Sequence, residues 1–157
     1  MSGRLTSQDH GAAELLARAL ELSGGRRVRV GILADAPKTE HDGGDGAATL
    51  LEIAAIHEFG AGPIPQRSFI RATIDQRKAD IAKLQGVLAG QVLAGKLTPD
   101  QALTQLGAKV ASWMQQRIAS GIAPALDPAT VAAKGSSVPL VDTGQLKASI
   151  TFLVEGA

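Results

Sequence analysis

The triplet Asp142-Thr143-Gly144, preceded by the apolar Leu140 and Val141, has the residue types of an aspartic-protease catalytic loop. That chemistry needs two carboxyl groups sharing one proton, so a single copy would act only as a dimer. Gln145 stands where such loops carry a small residue, and thirteen residues after Gly144 leave little room for a substrate flap. An aspartate followed three residues later by glutamine is also a capping box, which accounts for both residues without catalysis. His57-Glu58 has the beginning of a zinc-protease helix, yet Ala61 occupies the position of the second histidine. No cysteine is present to complete a zinc site or to act as a nucleophile. His41, Asp42 and Asp45 lack the alternating oxygen ligands and closing glutamate of a calcium loop. Gly60-Ala61-Gly62 lacks the strand-before, helix-after setting of a nucleotide site, and no glycine-rich loop leads into Lys-Ser or Lys-Thr. The sequence therefore predicts no catalytic residue, no metal and no cofactor.

Binding chemistry is the other possibility. Arg67, Arg71, Arg77 and Lys78 could meet phosphate, but Asp75 and Asp80 interleave them. Aromatic residues make up 3% of the chain and the net charge is +1, so base stacking and a global pull toward nucleic acid are both lacking. Arg26, Arg27 and Arg29 read as the solvated rim of a strand. The planar guanidinium of Arg67 suits two-pronged bonding to a carboxylate, and Glu58 is the candidate partner, within the subunit or across a boundary. Phe59 and Phe69 flank the same turn and are expected to pack in the core or corner rather than to line a pocket.

These residues need elements to hold them. Thr49 with Glu52 is a capping box, so a short helix should start at Leu50 and place Leu50, Ile53, Ala54 and His57 on one face. Gly60 supplies a left-handed stop, and Pro63 and Pro65 stiffen the loop after it. A long helix opens from Ser68 with Ile70, Ile74, Ile81, Leu84, Leu88 and Val92 as its apolar stripe. It carries Gly86 and Gly90 and ends at Gly95. Thr98-Pro99-Asp100-Gln101 starts the next helix, with threonine cap, proline at the first position and glutamine reaching back. Leu103, Leu106, Val110 and Trp113 mark its stripe as far as about Ser120, with Gly121 as stop. The short connection predicts that the two helices are antiparallel neighbours.

Around this pair, a first helix over about 8–22 should bury Leu15, Leu16, Ala19 and Leu22, ending at Gly24 and Gly25. The segment from Arg26 to Leu33 reads as a strand running from rim to interior. Residues 34–48 are polar, rich in glycine and without period, as in a flexible loop. Residues 122–141 read as a loop holding one small helix from Asp127-Pro128 to Lys134. Asp142 then caps a single turn, and Ile150 to Val154 forms a terminal strand that pairs with the first. The fold class is α+β: a small antiparallel sheet packed on a long antiparallel helix pair, in one domain spanning 1–157. The N-terminal MSGRLTSQDHG has no apolar signal core, and no apolar run approaches a membrane span, which predicts a soluble chain without membrane partners.

Two strings carry a resemblance. AAIHEFGAGPIPQRSFIRATI, from Ala54 to Ile74, resembles the "hxHEFG … IPxRxFhR" hallmark of phage neck and tail-completion proteins, with h an apolar residue. PLVDTGQLKASI, from Pro139 to Ile150, resembles the "PLhDTGxLxxSI" segment of the same family. The matching positions are His57, Glu58, Phe59, Gly60, Pro65, Arg67 and Phe69, then Asp142, Thr143 and Gly144. The resemblance implies a non-enzymatic virion protein, present in host cytoplasm during assembly. It would form a homo-oligomeric ring in the neck or at the head-proximal end of the tail, with other phage neck and tail proteins as partners. DNA would pass through such a ring without tight binding. A dimeric aspartic protease and a DNA-binding packaging accessory are the alternatives.

Overall fold

The computed structural model describes residues 10–33, 49–124 and 144–156. Along the chain these form α1 (His10–Ser23), β1 (Arg27–Ile32), α2 (Leu50–Phe59), α3 (Arg71–Leu93), α4 (Pro99–Ala119), α5 (Gln145–Ser149) and β2 (Ile150–Glu155).

Local sequence fixes two helix starts. The Thr49 hydroxyl accepts the Glu52 amide at 3.2 Å while the Glu52 carboxylate accepts the Thr49 amide at 2.7 Å. Thr98 and Gln101 make the same reciprocal pair at 3.2 and 2.9 Å. Each box satisfies amides that a helix start leaves without partners. Pro99 takes the first position of α4, where its missing N–H is not needed. After α3, Gly95 adopts φ +72° and turns the chain back into α4.

β1 and β2 pair antiparallel, from Arg27 opposite Glu155 to Ile32 opposite Ile150. Because side chains alternate, Val28, Val30 and Ile32 share a face with Val154, Phe152 and Ile150. That face lies on α4. The approach is close enough that a Cβ on Gly107 would fall 2.6 Å from Phe152 Cδ2 and 2.8 Å from Val28 Cγ2. On the opposite face Arg27 and Arg29 flank Glu155, at 2.6 and 2.7 Å. The core joins Leu88 and Val92 of α3, Leu106, Val110, Met114 and Ile118 of α4, and Ile32, Leu146 and Ile150 from the sheet side. The predicted α+β architecture, a small antiparallel sheet on a long helix pair, is thus the observed one. No helix among the described residues is long and apolar enough to cross a membrane.

Several expectations need correction. α1 was expected to bury Leu15, Leu16, Ala19 and Leu22, but only Leu22 packs on the core. Leu15, Leu16 and Leu20 are 49%, 61% and 63% exposed. α1 docks through the side that carries Arg18 and Leu22, one turn apart, with Arg18 Nη1 donating to the Leu93 carbonyl at 3.2 Å near the end of α3. Ile74 was placed in the α3 stripe and is instead 38% exposed. α3 starts at Arg71 rather than Ser68, for a reason that belongs to the site below. α5 has Gly144 before it at φ +71° and no side-chain cap, so Gln145 is the first helical residue and not the third. The predicted loop at 34–48, the small helix from Asp127, and the residues Asp142 and Thr143 lie outside the described residues.

Candidate functional site

The residues singled out between His57 and Phe69, with Arg71, come together as a corner joining α2 to α3. Gly60 closes α2, its amide donating to the Ile56 carbonyl at 2.7 Å, with φ +77° and an extended ψ of 149°. Its φ is positive as expected, but its ψ places it outside the left-handed helical region. A side chain at Gly60 would be strained by φ and would press on the Gln66 amide nitrogen at 3.1 Å. Ala61 and Ile64 exchange backbone bonds at 3.1 and 2.9 Å, turning the chain through Gly62 and Pro63 before the exposed Pro65. The loop is then tied back: the Arg67 amide donates to the His57 carbonyl at 2.7 Å, and Gln66 Nε2 donates to the Glu58 carbonyl at 3.1 Å.

Glu58 is the centre of the corner. It is 4% exposed. One carboxylate oxygen accepts from the Phe69 and Ile70 amides, both at 2.9 Å. The other accepts from the Ser68 hydroxyl at 2.7 Å, the Arg71 amide at 3.0 Å and Arg71 Nε at 3.1 Å. Ile70, the residue before α3, has no oxygen in its side chain to cap the helix. The cap is supplied through space by the last turn of α2, and a negative charge at that end also suits the helix dipole. This explains the late start of α3: residues 68–70 are held in the geometry that lets their amides face Glu58. Burial is the largest single influence on the Glu58 pKa and pushes it up. The amides of Ile70 and Arg71, the Ser68 hydroxyl and the Phe69 amide together outweigh it, so the carboxyl sits below the ordinary glutamate value.

Such a carboxylate is fully engaged. With five donors on two oxygens it has no remaining lone pair for a substrate proton or a metal, so its chemistry is structural. Among the described residues no group of three or more acidic or histidine side chains is arranged to hold a metal ion.

The expected Glu58–Arg67 pair is not the one that forms. Arg71 is the partner of Glu58, while Arg67, itself 4% exposed, donates from Nε to the Pro124 carbonyl at 3.0 Å. The Arg67 side chain thus ties the corner to the segment that follows α4, while its amide holds the loop to α2. The two phenylalanines also divide. Phe69 is completely buried, as expected, but Phe59 is 64% exposed, contrary to the packing role expected for it. Its ring lies under the Arg71 guanidinium at 4.4 Å. Beside them runs an apolar groove of about 220 Å³, lined by Ile32, Leu51, Ala54, Ala55, Phe59 and Ile70, with Arg71 on its rim.

No family model, characterised protein or solved structure matches the chain. The site therefore stands on its geometry: a braced corner whose acid is buried and whose arginine and phenylalanine face outward. Of the residues singled out from the sequence, His57, Glu58, Gly60, Arg67 and Phe69 act in bracing it, and Phe59 forms its outer surface. Gly144 lies apart, at the start of α5. Arg71 and Ser68 were missed as partners of Glu58. A hydroxyl three residues ahead of the first helical residue was the available signal for Ser68, and the closing arginine of the IPxRxFhR string was the signal for Arg71.

Proposed function

We propose that this chain is a structural, non-enzymatic subunit of a tailed-phage particle. In this reading it forms a homo-oligomeric ring in the neck or at the head-proximal end of the tail, and is needed for tail completion and head–tail joining. One observation carries the reading. The residues that resemble the neck and tail-completion hallmark gather into a single rigid corner that leaves Phe59, Arg71 and an apolar groove on the surface. A corner with a saturated carboxylate suits a mating surface better than a reaction centre, because rigidity lowers the entropic cost of docking. Rings arise when unlike patches on identical copies meet and close on themselves. DNA would pass through without strong contact, and the other neck and tail proteins would be the partners above and below.

The experiment is genetic. Disrupting the gene in the phage that carries it should leave filled heads and tails unjoined, and supplying the intact chain in trans should restore joined, infectious particles that contain it. Normal particle yield without the gene would overturn the reading. Hydrolysis of a peptide substrate lost on Asp142→Asn would favour the protease instead. Tight, salt-dependent DNA binding by the purified chain would favour the packaging accessory.

A further inference from the structure

Where the beginning of α3 runs beside the end of α4, the helix pair opens into a cleft of about 260 Å³. Gln76 and Arg77 line it from α3, and Trp113, Gln116 and Arg117 from α4. The lining holds two arginines and no carboxylate. Arg117 is fixed there by neutral acceptors: its Nε donates to the Ser68 carbonyl at 2.9 Å and its Nη1 to Gln76 Oε1 at 2.7 Å. Ser68 belongs to the braced corner, so this guanidinium is held from a rigid point. Its Nη2 remains unused, and no carboxylate among the described residues pairs with it. Gln76 spends its oxygen on Arg117, which leaves its amide Nε2 as a further donor. Arg77 pairs with Asp80 at 3.0 Å, but the two side chains are 48% and 53% exposed, and such a pair is easily exchanged. The Arg77 guanidinium and the Lys109 ammonium each lie 5.4 Å from the centre of the Trp113 ring, which attracts cations without neutralising them.

Three cations around one indole thus face a single acid, Asp80. The partial negative charge at the end of α4 offsets only about half of one positive charge. Donors without acceptors and charge without countercharge make an oxyanion site. We propose that this cleft binds a phosphate group, received by Nη2 of Arg117 and Nε2 of Gln76, with Arg77 turning to it from Asp80. The arginine fork matches phosphate geometry. Donors converging from two helices suit a tetrahedral group with three acceptor oxygens better than a planar carboxylate. A nucleic-acid backbone and free phosphate ion offer the same group. One phosphate contact per chain is far from the many that make DNA binding tight, so the site is compatible with DNA passing a ring and does not depend on that reading.

Trp113 is the only tryptophan in a chain without tyrosine, so its fluorescence reports on the cleft directly. Sodium phosphate is titrated into the whole chain, with chloride holding the ionic strength constant and calorimetry as a second readout. Saturable binding is expected. Arg117→Lys keeps the charge but loses the fork, and should weaken binding about tenfold. Arg77→Gln should weaken it about threefold with the melting temperature unchanged, because Arg77 takes no part in the corner. Asp80→Asn releases Arg77 and should tighten binding about twofold to fivefold, a gain that damage to the fold would not produce. Competition by short single-stranded and duplex DNA identifies the source: displacement assigns the site to a nucleic-acid backbone, and none assigns it to free phosphate. No binding by either readout, or binding that all three variants leave unchanged, would overturn the proposal. So would self-association that is lost in Arg117→Lys while phosphate fails to bind, since a neighbouring copy's carboxylate would then fill the cleft.

Discussion

Arg71 holds Glu58 from two sides: its Nε donates to the carboxylate at 3.1 Å, and its Nη2 donates to the Glu58 backbone carbonyl at 2.9 Å. One guanidinium thereby ties the end of α2 to the beginning of α3. The same carboxylate collects the amides of Phe69, Ile70 and Arg71, so the angle between the two helices depends on a single buried acid.

Removing that acid should be costly. Glu58→Ala leaves three backbone amides, the Ser68 hydroxyl and an arginine without their acceptor, and about 3 kcal/mol of stability should be lost. Glu58→Gln keeps the shape but replaces one oxygen by a donor facing other donors, and about 2 kcal/mol is expected. Urea denaturation of the purified variants measures both. A loss below about 0.5 kcal/mol for Glu58→Ala would mean that water replaces the carboxylate without penalty.

Acid should act through the same residue. The Glu58 carboxyl lies below the ordinary value of 4.5, because the amides and hydroxyl around it outweigh the effect of its burial. A depressed folded-state pKa means that the unfolded chain takes up the proton first as pH falls. The stabilisation is therefore complete above the unfolded value and declines as pH drops through the folded one. Glu52 and Glu155 are lowered too, so acid sensitivity is shared. The stability gap between wild type and Glu58→Gln should be constant near neutrality and narrow below about pH 4.5. A gap that does not change between about pH 7 and pH 3 would contradict this account.

Gly107 should not tolerate a side chain. A Cβ there would meet the Phe152 ring at 2.6 to 2.7 Å and Val28 at 2.8 Å, so α4 and the sheet would have to separate. Gly107→Ala gains helix propensity of about 1 kcal/mol but should lose more to overpacking, for a net loss of about 1 to 2 kcal/mol. Thermal unfolding of this variant is the measurement, and a rise in melting temperature would contradict the close packing.

Gly86 and Gly90 provide the contrast. Both lie within α3, and a Cβ on either would meet no atom within 4 Å. Gly86→Ala and Gly90→Ala should each stabilise the chain by up to about 1 kcal/mol. Unchanged or lower stability in denaturant titrations would show that the glycines serve the backbone in some further way.

Features written within four consecutive positions were legible from sequence. Thr49 with Glu52, and Thr98 with Pro99 and Gln101, formed as read, because a capping box is closed by its own residues. The pairing of the first and last strands was legible from alternation and from the position of Ile32 and Ile150 beside the core. The start of α3 was not, since its cap comes from a residue thirteen positions earlier and no local pattern records it. Periodicity gave α1 an apolar face but could not say how the helix would be turned about its axis; it docks through Arg18 and Leu22 and leaves Leu15, Leu16 and Leu20 exposed. The choice of Arg71 over Arg67 as the partner of Glu58 was likewise hidden. Both are arginines near the turn, and only the path through Gly60 to Gln66 determines which one reaches the acid.

The through-space cap also sets an order of events during synthesis. The amides of Phe69, Ile70 and Arg71 at the leading end of α3 have Glu58 as their acceptor, so a peptide of that helix alone should fray there. In the whole chain the acid emerges before the amides it will receive, attached to a short helix that starts with its own box. The leading end of α3 can therefore be received as soon as it leaves the ribosome, before the whole of α4 has emerged to press against it.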